Sequence, residues 1–195
     1  MRPFDIMVKG NSFQSLDDVG STGRWSMVIR RAQPDEMHAL TTLYDAAFPD
    51  EDLTPLVKAL MLEADSVLSL VAVDAAGIVG HVVLSLCSLE GSTRKAGLLG
   101  PLAVHPDHQR RGNGSALVAA VTNQSDKLKL AAICVLGDPA YYGQFRFARE
   151  TEIEAPYQLP EAWLSAWQSI RLTDEPVRGR LGVIEPWQDT KYWLP

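Results

Sequence analysis

The chain has 195 residues, with 18 Lys plus Arg against 24 Asp plus Glu, a formal net charge of −6. That length suits one domain able to bury a core without staples, and 46% hydrophobic with 22% charged residues excludes a disordered polymer. The acidity argues against nucleic acid as a partner, because phosphate backbones call for a broad basic face; any polyanion must be held by a local device.

Met1–Trp25 is rich in Ser, Gly and Asp and has no period. Residues 1–25 therefore read as a loose arm ahead of a working domain over 26–195. Met1–Gly10 carries Arg2, Asp5 and Lys9 without an apolar run, which is not a signal peptide. Ser26–Arg31 predicts a first strand. Pro34–Phe48 predicts a helix with Pro34 in its first turn and Met37, Leu40, Leu43, Tyr44, Ala47 and Phe48 on one face. Thr54–Ala64 predicts a second helix, with Thr54 as N-cap, Pro55 at the first helical position, and Leu56, Leu60 and Met61 inward.

The pattern then changes. Val67–Val73 reads as a buried strand, Asp74–Gly77 as a turn and Ile78–Leu86 as the returning strand. Asp74, Gly77 and His81 sit in the middle of this stretch, and a mid-bilayer Asp costs about 3 kcal/mol. A hairpin is thus expected in place of a membrane span, and the protein is expected to be cytoplasmic with no membrane partner. Leu98–Val104 is a third strand, but it contains Pro101, which cannot donate to a ladder and predicts a bulge. Ser115–Ser125 predicts a helix, Leu130–Leu136 a strand and Pro139–Phe145 a short helix. From Phe147 onward short strand-like pieces alternate with Pro-marked turns. Trp163 and Trp167, spaced i, i+4 after Pro160, predict a short helix packed on the sheet. Cys87 and Cys134 lie in apolar runs and read as small buried hydrophobes, with no metal-ligand spacing anywhere. The alternation is that of an α/β layered domain.

The chemistry concentrates in Leu98–Leu117, LLGPLAVHPDHQRRGNGSAL. It runs from a bulged strand through a polar turn into a glycine-punctuated loop that opens a helix. The first turn of a helix has unpaired N–H groups and the positive end of the macrodipole, which makes it an anion site. Gly112 and Gly114 let backbone approach a ligand without a Cβ in the way, and Arg110 and Arg111 add forked donors for phosphate oxygens. The dinucleotide pattern fails, since Gly112-x-Gly114-x-x-Leu117 lacks the third glycine. The P-loop fails too, for want of its Lys-Ser/Thr end.

The whole stretch resembles the acyl-CoA site of the GCN5-related N-acetyltransferases, the GNAT family. Their Q/R-x-x-G-x-G/A signature is matched by Gln109-Arg110-Arg111-Gly112-Asn113-Gly114, the preceding LGPLAVHP matches in type and distance, and the later GDPAYYGQFRF, Gly137 to Phe147, resembles the family's strand-then-tyrosine segment. The tyrosine segment with the Pro-rich tail is similar to the branch described as YhbS-like. The resemblance implies an acyl-CoA N-acyltransferase fold: a mixed, twisted sheet flanked by helices and splayed between its fourth and fifth strands, here Leu98–Val104 and Leu130–Leu136. It implies acetyl-CoA as co-substrate, no metal, and a small-molecule or peptide amine as acceptor. By position, the main chain of Leu102, Ala103 and Val104 would bind the pantetheine arm and the thioester carbonyl, with Val104 as oxyanion donor. Gln109, Arg110, Arg111, Gly112, Asn113, Gly114 and Ser115 would cradle the pyrophosphate, and Tyr142 would protonate the leaving thiolate.

The remaining candidates are weighed beside these. Tyr141 is the alternative ring to Tyr142. His81 in its strand is a general base or a satisfied core histidine, and Glu90 is a base or a solvated carboxylate. His105 and His108 flank the loop and read as its rim. Asp138 reads as an N-cap, and Cys134 lacks the basic partner a nucleophile needs. Arg146 stands where the family has glycine, so the turn after the short helix is expected to differ, and that departure favours a CoA-binding sensor without catalysis as the runner-up reading. Arg146 is also a candidate for the 3′-phosphate of CoA or an acidic substrate. Trp163, Trp167, Trp187 and Trp193 either pack on the sheet or form an apolar acceptor wall or a homodimer surface. A protein or peptide acceptor is a third reading.

Overall fold

The computed structural model describes residues 27–193; the arm expected over 1–25, and Ser26 at the expected start of the first strand, lie outside the described residues. The elements in order are β1 (Val28–Arg31), a 3-10 turn (Pro34–Glu36) leading into α1 (Met37–Ala47), α2 (Thr54–Leu62), β2 (Val67–Asp74), β3 (Gly77–Leu89), β4 (Lys95–Val104), α3 (Asn113–Leu128), β5 (Leu130–Leu136), α4 (Pro139–Tyr142), β6 (Ala148–Arg149), β7 (Ile153–Glu154), β8 (Trp167–Arg171) and β9 (Gly179–Gly182).

Three local expectations are corrected. Pro34 opens a 3-10 turn, not the α-helix itself, held by a Glu36 carboxylate that accepts from the Gln33 N–H at 2.8 Å. The cap of α2 is Leu53, so Thr54 is already helical; the Asp52 carboxylate accepts the Thr54 N–H at 3.1 Å and supplies the acceptor that Thr54 was expected to offer. Trp163 and Trp167 do not share a helix. Trp163 ends a 3-10 turn and Trp167 begins β8. Both are buried all the same, and the Trp167 ring meets Trp193 edge-on at 6.1 Å.

The sheet runs β1-β2-β3-β4-β5-β8-β6, with β9 pairing the far end of β3 and also pairing β7. All pairs are antiparallel except β4 with β5 and β7 with β9. The bulge expected at Pro101 is present. Leu102 pairs with Val82 and Leu99 with Leu84, so Gly100 and Pro101 together face Val83. The parallel ladder of β4 and β5 stops at Leu98 opposite Cys134. Beyond it β5 stays paired with β8 as far as Leu136 opposite Trp167, while β4 continues to Val104 on β3 alone. The sheet is therefore splayed between its fourth and fifth strands.

Each face of the sheet carries its own apolar layer. One packs α1, α2 and the tail, including Leu40, Leu43, Leu56, Leu60, Trp187 and Trp193, on the sheet. The other packs α3 and α4, including Leu117, Val118, Val121, Tyr141 and Tyr142. The tail segment is fastened by Glu150, whose carboxylate accepts the N–H groups of Thr151, Glu152 and Ile153, the Ser169 hydroxyl and the Arg171 guanidinium. Those bonds outweigh burial and hold its pKa below the usual range. Among the described residues no helix is long and apolar enough to cross a membrane.

Candidate active site

The splay leaves one edge of β4 without a strand partner. The His105 N–H donates to the Val79 carbonyl of β3 at 2.9 Å. Alternation along an antiparallel pair then sets Ala103 as a bonded partner of His81, and turns the main-chain groups of Leu102 and Val104 toward the gap. This divides the three residues expected to hold a pantetheine arm. Leu102 and Val104 present N–H groups to the opening, whereas the Ala103 amide is committed to β3. Unpaired main-chain groups of this kind call for a partner.

The β4–α3 loop is built to aim its backbone. Gly112 precedes α3 at φ 83°, a conformation that suits glycine, and a Cβ there would meet nothing within 4 Å. The first intrahelical bond runs from the Ala116 N–H to the Gly112 carbonyl at 2.9 Å, so the N–H groups of Asn113, Gly114 and Ser115 lie at the positive end of a 16-residue helix. Arg110, itself at φ 58°, and Arg111 are exposed, and neither guanidinium pairs with another described residue. Two expected cradle residues turn their side chains inward. Gln109 Nε2 donates to the Val104 carbonyl at 3.1 Å, and Asn113 Nδ2 to the His108 carbonyl at 2.8 Å. They fix the loop. The Gln109 N–H is spent on the Pro106 carbonyl at 3.3 Å, so of the two it is the Asn113 N–H that remains for an anion. His105 and His108 form the rim, with His108 Nδ1 3.1 Å from an Asp74 carboxylate oxygen.

On the α3 side, Asp138 caps α4 by accepting the Ala140 N–H at 2.9 Å, as its position before Pro139 suggested. Both Tyr141 and Tyr142 are buried, and neither hydroxyl has a hydrogen-bond partner. Burial pushes both phenols above their ordinary pKa, with Tyr44 and Tyr141 adding to the effect on Tyr142. Tyr142 is the more enclosed of the two, at 0% exposure. Its ring lies against Gly137, where any Cβ would collide with it. Arg146 takes φ 67°, ψ 16°, the left-handed conformation that glycine adopts most easily, at a strain of about 1–2 kcal/mol, and its side chain is exposed.

On the α1 side, His81 is enclosed in a chain of hydroxyls. Its Nδ1 lies 2.9 Å from the Tyr44 hydroxyl and its Nε2 2.8 Å from Ser69 Oγ. Tyr44 also reaches the Pro101 carbonyl at the bulge, at 3.5 Å. Burial lowers the His81 pKa to about 3, so the ring is neutral and a poor base. Tyr44 and Ser69 were missed in the sequence, where Tyr44 is one more apolar position on the inward face of α1. Glu90 is exposed at the end of β3 away from the splay, roughly 20 Å along the strand at 3.3 Å per residue. Cys134 is fully buried, and desolvation raises its thiol pKa well above the ordinary value. Among the described residues no group of three or more His, Cys, Asp or Glu is placed to hold a metal.

Known proteins match this chain over the same region. The sequence model of the acetyltransferase (GNAT) domain matches residues 28–149. The uncharacterized N-acetyltransferase YhbS of Escherichia coli K12 is 30% identical over 163 residues, which is 82% of this chain and 95% of the relative. The uncharacterized N-acetyltransferase YjhQ of the same strain is 30% identical over 127 residues, 61% of this chain and 70% of the relative. Among solved structures, E. coli YhbS in complex with CoA superposes with a TM-score of 0.76 at 25% identity, covering 87% of this chain and 96% of that one. A GNAT acetyltransferase from Brucella melitensis in complex with acetyl-CoA superposes at 0.68 with 23% identity, covering 85% and 100%, which speaks to the fold alone.

Proposed function

The chain belongs to the GNAT acetyltransferases, and on that premise we propose that it binds acetyl-CoA in the β4–β5 opening and passes the acetyl group directly to a primary amine. The observation that carries this reading is the continuity of the open β4 edge with the N-terminus of α3. The pyrophosphate rests on the N–H groups of Asn113, Gly114 and Ser115, with Arg110 and Arg111 beside it. A pantetheine amide carbonyl pairs with the Val104 N–H in place of the missing strand. The CoA complex of the YhbS relative supports the same ligand.

The amine arrives as an ammonium of pKa near 10 and attacks only after losing a proton. None of the side chains lining the cavity beside the bulge is a carboxylate, and His81 is too weak a base, so that proton leaves to water. The nitrogen lone pair then adds to the thioester carbon. The Leu102 N–H, one pleat deeper on the open edge and next to the bulge, binds the oxyanion, a contribution of about 3 kcal/mol. The carbonyl re-forms, the C–S bond breaks, and Tyr142 gives its phenolic proton to the thiolate; the second proton of the attacking nitrogen is lost to water, from which the Tyr142 phenolate is reprotonated. Burial raises the phenol pKa, but it raises that of a thiolate leaving into the same enclosed space as well, so the transfer is not placed out of reach.

The test is release of free thiol from acetyl-CoA across amines, amino acids, peptides and aminoglycosides. Turnover with at least one acceptor is expected. Acetyl-CoA binding without turnover on any of them would favour the sensor reading, and no binding would sink both.

A further inference from the structure

Where the splay begins, the tail closes over the sheet and leaves a cavity of about 20 Å³. Its walls include Leu98 and Pro101 of β4, Leu136 of β5, and Trp187, Tyr192 and Trp193 of the tail. The surface is apolar. The polar tips of the three rings are engaged elsewhere, Trp187 on the Ser85 hydroxyl at 2.9 Å, Trp193 on the Trp187 carbonyl at 2.8 Å and Tyr192 with Lys191. The rings therefore offer only their hydrocarbon faces.

We infer that this cavity is the pocket for the hydrocarbon end of the acyl group, and that the enzyme takes propionyl-CoA as a donor at least as well as acetyl-CoA while rejecting long acyl chains. The inference rests on the proposed acyl-CoA site and concerns which donor that site selects. Position comes first. Going inward from the phosphate loop along β4, the open N–H groups of Val104 and Leu102 are followed by Pro101, Gly100 and Leu98, where β4 and β5 rejoin. A molecule laid along that edge with its phosphates on α3 ends in this cavity. Chemistry comes second. An amine acceptor arrives as a cation, and this wall has no carboxylate to pair with it. An alkyl chain requires nothing from the wall except contact. Size comes third. A water-sized group needs about 10–15 Å³, so the space admits one or two carbons before Trp187 and Trp193 stop it.

Calorimetry of the full chain with CoA, acetyl-, propionyl-, butyryl- and octanoyl-CoA tests this without an acceptor. Propionyl-CoA is expected to bind about fourfold tighter than acetyl-CoA, the gain from burying one methylene, and octanoyl-CoA at least tenfold weaker than propionyl-CoA. Leu56→Ala, in the α2 wall of the cavity, should move the preference toward butyryl-CoA. Should that variant fail to fold, the wild-type series alone decides. Acetyl-CoA binding with propionyl-CoA several-fold weaker overturns the acyl pocket and leaves the acetyltransferase reading standing. So does an octanoyl-CoA that binds as tightly as propionyl-CoA. Binding of none of the thioesters overturns both.

Discussion

The side chain of Gln109 reaches back across its own loop and donates to the main-chain carbonyl of Val104 at 3.1 Å. One bond thus ties the β4–α3 loop to the end of the unpaired strand edge, and sets the distance between the two surfaces proposed to hold an acyl-CoA. Gln109→Met keeps the side-chain length and removes the tie. The dissociation constant for acetyl-CoA is expected to rise about fivefold, the worth of one hydrogen bond of about 1 kcal/mol, with the melting temperature little changed. Unaltered affinity would show that the loop holds its place without the strap.

Tyr142 separates catalysis from stability. Its hydroxyl is buried and unpartnered, and such a group costs folding free energy. Tyr142→Phe should therefore melt at the same temperature or higher and still bind acetyl-CoA, while turnover falls tenfold or more. Full turnover in that variant removes Tyr142 from the mechanism and returns attention to Tyr141.

Gly137 is the companion of that ring. A methyl group on it collides with Tyr142, so Gly137→Ala should destabilise the fold by about 1–3 kcal/mol, as overpacking does. It should also lower turnover by displacing the phenol. Chemical denaturation and a steady-state assay on the same preparation report both effects, and a neutral outcome in each would mean the ring has room to shift.

His81 gives a pH signature of folding. Its pKa is lowered to about 3 in the fold, against an ordinary value near 6.5. Between these values the unfolded chain binds the extra proton. The contribution of the neutral buried ring is therefore present in full above about pH 6.5 and is lost as pH falls toward 3. Denaturation between pH 6.5 and 5 should show stability declining by up to about 1.4 kcal/mol per pH unit from this group. His81→Gln should flatten that slope, and an identical slope in the variant would place the effect elsewhere.

Much of this was legible in the sequence. The Gln109–Gly114 signature fixed the loop because backbone approach and positive φ leave few residue choices. Pro101 marked the bulge because its missing N–H cannot enter a ladder. The splay itself was not deducible from residue types, since Leu98–Val104 reads the same whether or not β5 follows it. Trp167 was misread because one i, i+4 spacing is shared by a helix and by a turn running into a strand. The Tyr44–His81–Ser69 chain joins α1, β3 and β2, and no local pattern records a contact across 37 residues of sequence. Arg146 was expected to disturb its turn; its backbone takes the left-handed conformation, with its N–H on the Gly143 carbonyl at 3.0 Å.

The central proposal places acyl-CoA between the open β4 edge and the start of α3. Calorimetry of acetyl-CoA against the wild-type chain and Gly112→Glu, with melting curves to show that the variant is folded, tests it most directly. Micromolar-range binding by the wild type and at least a hundredfold loss in the variant is the predicted result, because the glutamate sets a side chain and a negative charge where the pyrophosphate must sit. A folded Gly112→Glu that binds acetyl-CoA as tightly as the wild type would contradict the site.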